Sequence, residues 1–164
     1  MPNEELLVEI LECQHGTKVG HITLNSPETL NSLTMSMVNK ISNLLDDWEV
    51  DPQIKMVLLS GAGEKAFCAG GDIRALYESM CSPEGPIFAE SFFESEYRLD
   101  YKLHNFSKPI VSLLDGIVMG GGAGLMFSSS YKIATERTKF AMPQIGVGLF
   151  PDVGFTSLIK DLPE

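Results

Sequence analysis

Cysteine is scarce in this sequence. Cys13, Cys68 and Cys81 are its three thiols, widely spaced and without a Cys-x-x-Cys pair. An odd, scattered set argues against a disulfide framework or a thiolate zinc site and fits a reducing compartment. Basic residues are also few: Lys+Arg 12 against Asp+Glu 22 leaves a net charge of −10 and a pI near 4.7. Such a surface repels polyanions, which excludes broad contact with nucleic acid or an anionic membrane, whereas a small anionic ligand needs only a few gathered cations. No apolar run reaches the ~18 residues of a transmembrane helix. The start, Met1-Pro-Asn-Glu-Glu5, has neither the basic nor the apolar region of a secretory signal. These absences together predict a soluble, cytoplasmic protein. Several catalytic signatures are missing as well: no H-E-x-x-H, no G-x-x-x-x-G-K-[ST], no G-x-S-x-G. His15, His21 and His104 are scattered, read as surface or packing residues, and suggest no metal site.

What is present is a globular composition, 44% hydrophobic and 21% charged over 164 residues, enough for one domain. Leu6–Glu12 and Val19–Leu24 read as a hairpin around Gly16. Thr34 is a natural N-cap for a helix in which Met37, Val38, Ile41, Leu44, Leu45 and Trp48 recur at helical spacing, closed by Asp51-Pro52. Met56–Ser60 and Ile110–Leu114 are continuous apolar runs, as expected of strands buried on both faces. Helices are predicted over Asp72–Met80 and Ile87–Asn105, and short strands around Tyr131–Ala134 and Phe140. The glycines of Lys65–Ile73 argue against a regular element there. Strands alternating with helices and glycine corners give the α/β class.

Three segments carry chemistry. Gly61-Ala-Gly63-Glu-Lys-Ala66 formally matches a dinucleotide pattern, but Gly70 and Gly71 interrupt before a helix could face a pyrophosphate. Ala69-Gly-Gly-Asp72 and Gly120-Gly-Gly122 occur in equivalent settings, each after an apolar strand and before a helix. Two such loops brought together could aim two N–H groups at one developing oxyanion; close strand-to-helix packing is the plainer alternative. Asp152 is a single acid among the glycines, prolines and large apolar groups of Phe140–Gly154. Buried there, its pKa would be perturbed as a catalytic carboxyl requires; exposed, it would be a helix N-cap. Cys68 reads as a small apolar residue packed under a loop.

Ala66-Phe-Cys-Ala-Gly-Gly-Asp-Ile73, Met119-Gly-Gly-Gly122, and Phe140-Ala-Met-Pro143 with Gly148-Leu-Phe-Pro-Asp-Val-Gly154 resemble the enoyl-CoA hydratase/isomerase (crotonase) superfamily. They most resemble its 3-hydroxyisobutyryl-CoA hydrolase branch, and the similarity runs from about Val8 to Gly154. The resemblance implies a spiral of ββα units, with the oxyanion-binding N–H groups at Gly71 and Gly121. It places acyl-side residues at Glu96, Gln144 and Asp152, and lines the coenzyme A site with Ala69, Gly70 and Asp72. Lys65 and Arg74, flanking that loop, are the cations available to polyanionic coenzyme A. Gly124 stands where hydratases usually carry their first catalytic glutamate, which argues against simple hydration.

Two residues depart from the branch. It has Glu where this chain has Gln144, and an amide cannot transfer a proton as a carboxyl can. It also has further glycine where this chain has Phe155-Thr156. Members of the family continue beyond Asp161-Leu-Pro-Glu164, so residues 1–164 are expected to be the N-terminal part of the family domain, truncated at its C-terminus. The implied activity is hydrolysis of a short 3-hydroxyacyl-CoA in valine catabolism, with Asp152 attacking the carbonyl or activating water. Coenzyme A would enter as part of the substrate, with no other cofactor. Family oligomers leave a homo-oligomer open. The alternatives are an enoyl-CoA hydratase or isomerase, and a non-catalytic acyl-CoA-binding fragment.

Overall fold

The computed structural model describes residues 4–159, so the chain's last residues, 160–164, on which the expectation of truncation rests, lie outside it. β1 (Leu6–Glu12) and β2 (Lys18–Leu24) pair antiparallel from Leu6 opposite Leu24 to Glu12 opposite Lys18. The turn between them places His15 and Gly16 at φ 61° and 71°, the second of which glycine adopts without strain. α1 (Met35–Val50) crosses over to β3 (Ile54–Gly61), which lies parallel to β2. The Thr34 hydroxyl caps α1 by accepting from the Met37 N–H at 3.1 Å. The face at helical spacing, Met37, Val38, Ile41, Leu45 and Trp48, is buried against the sheet.

From β3 onward the chain repeats a step. A first strand joins one sheet, a short second strand joins another, and a helix returns. β3 is followed by β4 (Ala66–Cys68), α2 (Ile73–Ser79) and α3 (Gly85–His104). β5 (Ile110–Leu114) is followed by β6 (Ile117–Met119) and α4 (Gly121–Ser128). β7 (Tyr131–Ala134) is followed by β8 (Lys139–Ala141) and α5 (Phe155–Ile159). The first strands build a five-stranded sheet in the order β1-β2-β3-β5-β7, and the second strands a parallel three-stranded sheet in the order β4-β6-β8. This is the expected spiral of ββα units. The core lies between α1, α3 and the sheets, with Phe67, Phe92, Leu99 and Val118 all at most 2% exposed.

Two expectations need correction. Lys65–Ile73 does contain a regular element, β4, because its apolar residues Ala66, Phe67 and Cys68 pair with β6 before the glycines begin. α3 starts at Gly85, two residues before the predicted Ile87, since Pro86 in a first turn forfeits only an N–H that has no helical partner.

Candidate active site

The spiral stacks β4 beside β6, so the loops that leave their C-terminal ends meet. Gly70 and Gly120 hold φ of +106° and +52°, conformations that favour glycine. A Cβ on Gly70 would stand 3.1 Å from the Met119 carbonyl oxygen and 3.3 Å from the Gly121 nitrogen. One on Gly121 would stand 3.4 Å from the Gly71 nitrogen. Gly121 opens α4, where the first N–H groups have no helical acceptor. Among the described residues, neither the Gly71 nor the Gly121 N–H is used in a hydrogen bond. The two glycine loops therefore present adjacent, unused donors.

α3 lays two carboxyl groups along α4, one turn apart. Glu96 Oε1 occupies the space a Gly121 side chain would take and lies 3.8 Å from a Cβ built on Gly71. Asp100 does the same at Gly124, its oxygens 2.6 and 2.8 Å from a Cβ there. Both acids are buried, and Glu96 Oε1 and both Asp100 oxygens have no hydrogen-bond partner. Burial first, then the charge of Asp152, pushes the Glu96 pKa up to about 7. Burial, then the charges of Glu96 and Asp152, raises Asp100 well above the usual carboxylate range.

The loop after β8 completes the cluster. The Gln144 amide donates from Nε2 to Asp152 Oδ1 at 3.0 Å, and the Tyr97 hydroxyl donates to Oδ2 at 2.6 Å. A Cβ on Gly120 would be 3.8 Å from Gln144 Nε2, which seats this loop on the second glycine turn. With its nitrogen committed to Asp152, Gln144 keeps a buried, unpartnered Oε1 as an acceptor. The Asp152 side chain is not an N-cap: only its backbone carbonyl accepts from the Phe155 N–H, at 2.9 Å. A groove of about 750 Å³ opens beside Asp152 between α3, the end of α4 and residues 150–157, with Tyr97, Asp100, Phe127 and Phe150 among its walls.

The structure thus brings Gly71, Gly121, Glu96, Gln144 and Asp152 together. Asp72 caps α2 by accepting from the Ala75 N–H at 3.0 Å, and Ala69 donates its N–H to the Leu30 carbonyl at 3.0 Å. Gly70 gives its carbonyl to the Leu33 N–H at 2.7 Å, so this loop is held on the chain before α1. Lys65 and Arg74 stand apart. Lys65 is exposed before β4, at the opposite end of that strand from Gly70. Arg74 is exposed and ion-paired with Glu78 on the same helix at 2.9 Å. Cys68 is fully buried under Gly122, and burial pushes its thiol up to about 12, so it is not a nucleophile. Gly61, read against a dinucleotide loop, packs on the Ala66 and Phe67 carbonyls and leads into a strand rather than a helix. Sequence reasoning missed Tyr97 and Asp100. Their signal was their position on α3, next to Glu96 and one turn after it.

Paired unused N–H donors, a carboxyl titrating near neutrality and a second, oriented carboxylate can polarise a carbonyl and move a proton beside it. On a ββα spiral, that combination defines the crotonase fold. A family model for enoyl-CoA hydratase/isomerase matches residues 19–164, and the chain belongs to that family. It is 49% identical over 137 residues to a mitochondrial 3-hydroxyisobutyryl-CoA hydrolase of Danio rerio, covering 84% of this chain and 35% of that protein. To the Homo sapiens protein of the same name it is 45% identical over 151 residues, covering 92% of this chain and 37% of that one. A solved carnitinyl-CoA dehydratase from Mycobacterium thermoresistibile superposes with a TM-score of 0.89 at 44% identity, over 98% of this chain and 45% of that one. The chain spans about a third of the length of the curated relatives it matches.

Those relatives are named as mitochondrial, which overturns the expectation of a cytoplasmic protein. The cysteines were one ground of that expectation, and they distinguish reducing from oxidising surroundings rather than one reducing compartment from another.

Proposed function

We propose that this chain carries the thioester-cleaving site of an acyl-CoA hydrolase acting on 3-hydroxyisobutyryl-CoA or a similar short 3-hydroxyacyl-CoA, a step in valine breakdown. The observation that carries the reading is the pair of unused N–H groups at Gly71 and Gly121 with the Glu96 carboxyl against them. The thioester oxygen sits between the two amides, which stabilise the negative charge that develops on it as the carbonyl carbon is attacked. Water adds to that carbon, and its proton passes to a carboxylate. The tetrahedral intermediate then expels the coenzyme A thiolate, leaving the free acid.

Glu96, with its pKa near 7, is matched to take the proton at neutral pH. Asp152 faces the same space, and its orientation is fixed from both sides by Tyr97 and Gln144. A carboxylate accepting two hydrogen bonds is a poorer nucleophile, which favours water over Asp152 as the attacking group, and so direct hydrolysis over a mixed anhydride on Asp152. Gln144 contributes the free Oε1 to orient that water or the acyl hydroxyl. The curated names at 45–49% identity support the substrate class.

A second reading is favoured by the dehydratase relative: hydration or dehydration of an enoyl-CoA at the same carbonyl site. Against it stands Gly124, which has no side chain to offer an acid. Thiol release from 3-hydroxyisobutyryl-CoA, set beside hydration of crotonyl-CoA, separates the two. Asp152→Asn should lower kcat for thiol release by about a hundredfold or more with KM little changed, as expected for a group acting mainly in the transition state. Wild-type kcat in that variant would refute the role given to Asp152, and crotonyl-CoA hydration outrunning thiol release would overturn the hydrolase reading.

A further inference from the structure

Asp100 has no part in the machinery above, yet it is the most exposed to question of the buried groups. Both of its oxygens lack a hydrogen-bond partner, although the residue is only 9% exposed. A buried carboxyl left unpartnered is costly, and nothing in the fold uses it. It forms no ion pair among the described residues, and its neighbours are two further acids, Glu96 and Asp152. Gly124 leaves out the side chain that would otherwise meet the carboxyl at 2.6 Å, so the Asp100 oxygens fill that space, closed to solvent, directly behind the wall of the 750 Å³ groove that the residue helps to form.

Its position along the helices matters. Glu96 meets Gly121 and Asp100 meets Gly124, so the second carboxyl lies one helical turn, about 5 Å, beyond the first. A carbonyl held by the Gly71 and Gly121 amides therefore has Glu96 beside it and Asp100 a short acyl chain further on. A hydroxyl two carbons from that carbonyl reaches roughly 3 to 4 Å along this direction, given C–C bonds of about 1.5 Å. We propose that Asp100 is a specificity residue that hydrogen-bonds the hydroxyl of the acyl group in the groove. A hydroxyl both donates and accepts, so it pairs with the carboxyl in either protonation state. Burial and the neighbouring acids favour the neutral form, in which Asp100 can donate as well as accept. The aromatic walls Phe127 and Phe150 suit the acyl group's apolar carbons.

This inference rests on the acyl-CoA reading, and the test separates the two. The full-length protein is assayed with 3-hydroxyisobutyryl-CoA and with isobutyryl-CoA, which lacks the hydroxyl. Asp100→Ala, and Asp100→Leu as a second variant that fills the space without a polar atom, should lower the ratio of kcat/KM for the two thioesters by about tenfold or more. Hydrolysis of isobutyryl-CoA should stay within about threefold of wild type, and Asp100→Asn should recover most of the ratio. A merely structural role would lower both substrates together and leave the ratio unchanged. That outcome in a variant that still melts cooperatively overturns the proposal while leaving the hydrolase reading in place. So does a wild-type protein that cleaves both thioesters equally well. If wild type cleaves neither, the hydrolase reading falls instead. The ratio of the two dissociation constants by calorimetry, in wild type and Asp100→Ala, then decides the role of Asp100 on the same criterion.

Discussion

Replacing Gln144 by a carboxylic acid tests whether position 144 moves a proton or holds a geometry. In the native chain the Gln144 amide donates to Asp152 at 3.0 Å, and the residue is 7% exposed. In Gln144→Glu two carboxyl oxygens face each other across that distance. Were both ionised, their repulsion at an effective dielectric constant near 20 would be about 5 kcal/mol. Keeping one of them protonated at pH 7 costs about 4 kcal/mol for a glutamate of ordinary pKa. Repulsion wins, so the pair holds a proton and an O–H···O bond replaces the N–H···O bond. The charge around Glu96 is then unchanged at neutral pH, and kcat should stay within about tenfold of wild type. As pH rises the shared proton leaves and adds negative charge beside Glu96. That happens only above about pH 8, after Glu96 has ionised at about 7, so the acid limb of the rate profile should stay where it is and any change should appear on the alkaline side. Thiol release from 3-hydroxyisobutyryl-CoA between pH 6 and 9, in full-length wild type and Gln144→Glu, reads both effects. A gain above about a hundredfold at pH 7 would refute the orienting role, because that is the range expected of a restored general acid or base.

Glu96 ought to weaken the fold for the same reason that it suits proton transfer. Its folded pKa of about 7 lies above the ordinary 4.5, so stability is full below pH 4.5 and is lost as pH rises from there through 7. Glu96→Gln should therefore stabilise the protein by about 3 kcal/mol at pH 8 and by little at pH 4.5; an equal effect in urea melts at both pH values would contradict this. Gly121→Ala and Gly122→Ala should behave differently although they are neighbours. The first methyl clashes with the end of the Glu96 side chain and otherwise meets the Gly71 nitrogen at an ordinary 3.4 Å, so the variant should fold and lose activity by about a hundredfold. The second meets the backbone carbonyl of Cys68 and should cost a few kcal/mol of stability, roughly 2 to 4. The reverse pattern, read by thermal melts and thiol release, would place the site elsewhere.

Most of the fold was legible because it rests on local signals. The period of α1, the Thr34 cap and the apolar runs of β3 and β5 each name an element without reference to the rest of the chain. β4 was not, since three residues carry no period and their strand exists only through pairing with β6. In the site, the glycine loops and Asp152 stood out through composition, and Glu96 and Gln144 through resemblance. Tyr97 and Asp100 did not stand out, because a tyrosine and an acid on a long amphipathic helix look like an ordinary half-exposed face. Only the packing of α3 on α4 buries Asp100, and only the fold of the loop after β8 brings Asp152 to the exposed Tyr97. Asp152 draws attention as the isolated acid of its loop, whereas Glu96 and Asp100, whose pKa values burial raises, lie on what reads as an ordinary helix. The cations illustrate the converse. Lys65 and Arg74 are close to the glycine loop in sequence and are turned away from it by the direction of β4 and by the Glu78 pair.

The α3–α4 seam also explains why the glycines of α4 are not simply a corner. Gly121, Gly122 and Gly124 fall within the first four residues of a buried helix, where each is less favourable than alanine by about 1 kcal/mol. Close packing accounts for Gly122, whose missing side chain admits the Cys68 carbonyl. It does not account for Gly121 or Gly124, since what fills the space at each is a buried acid, itself unfavourable there. Two helices that each forgo stability at the same contact, one by lacking side chains and the other by burying carboxyls, are not optimised for packing. The missing volume and the acid are complementary, so a change to either partner alone leaves a clash or a void. An apolar side chain in place of each acid would make a sounder core and would leave the Gly71 and Gly121 amides facing nothing that can take a proton. That the helices keep the weaker arrangement at both contacts, and not only at Glu96, is the reason to count Asp100 with the site rather than with the scaffold.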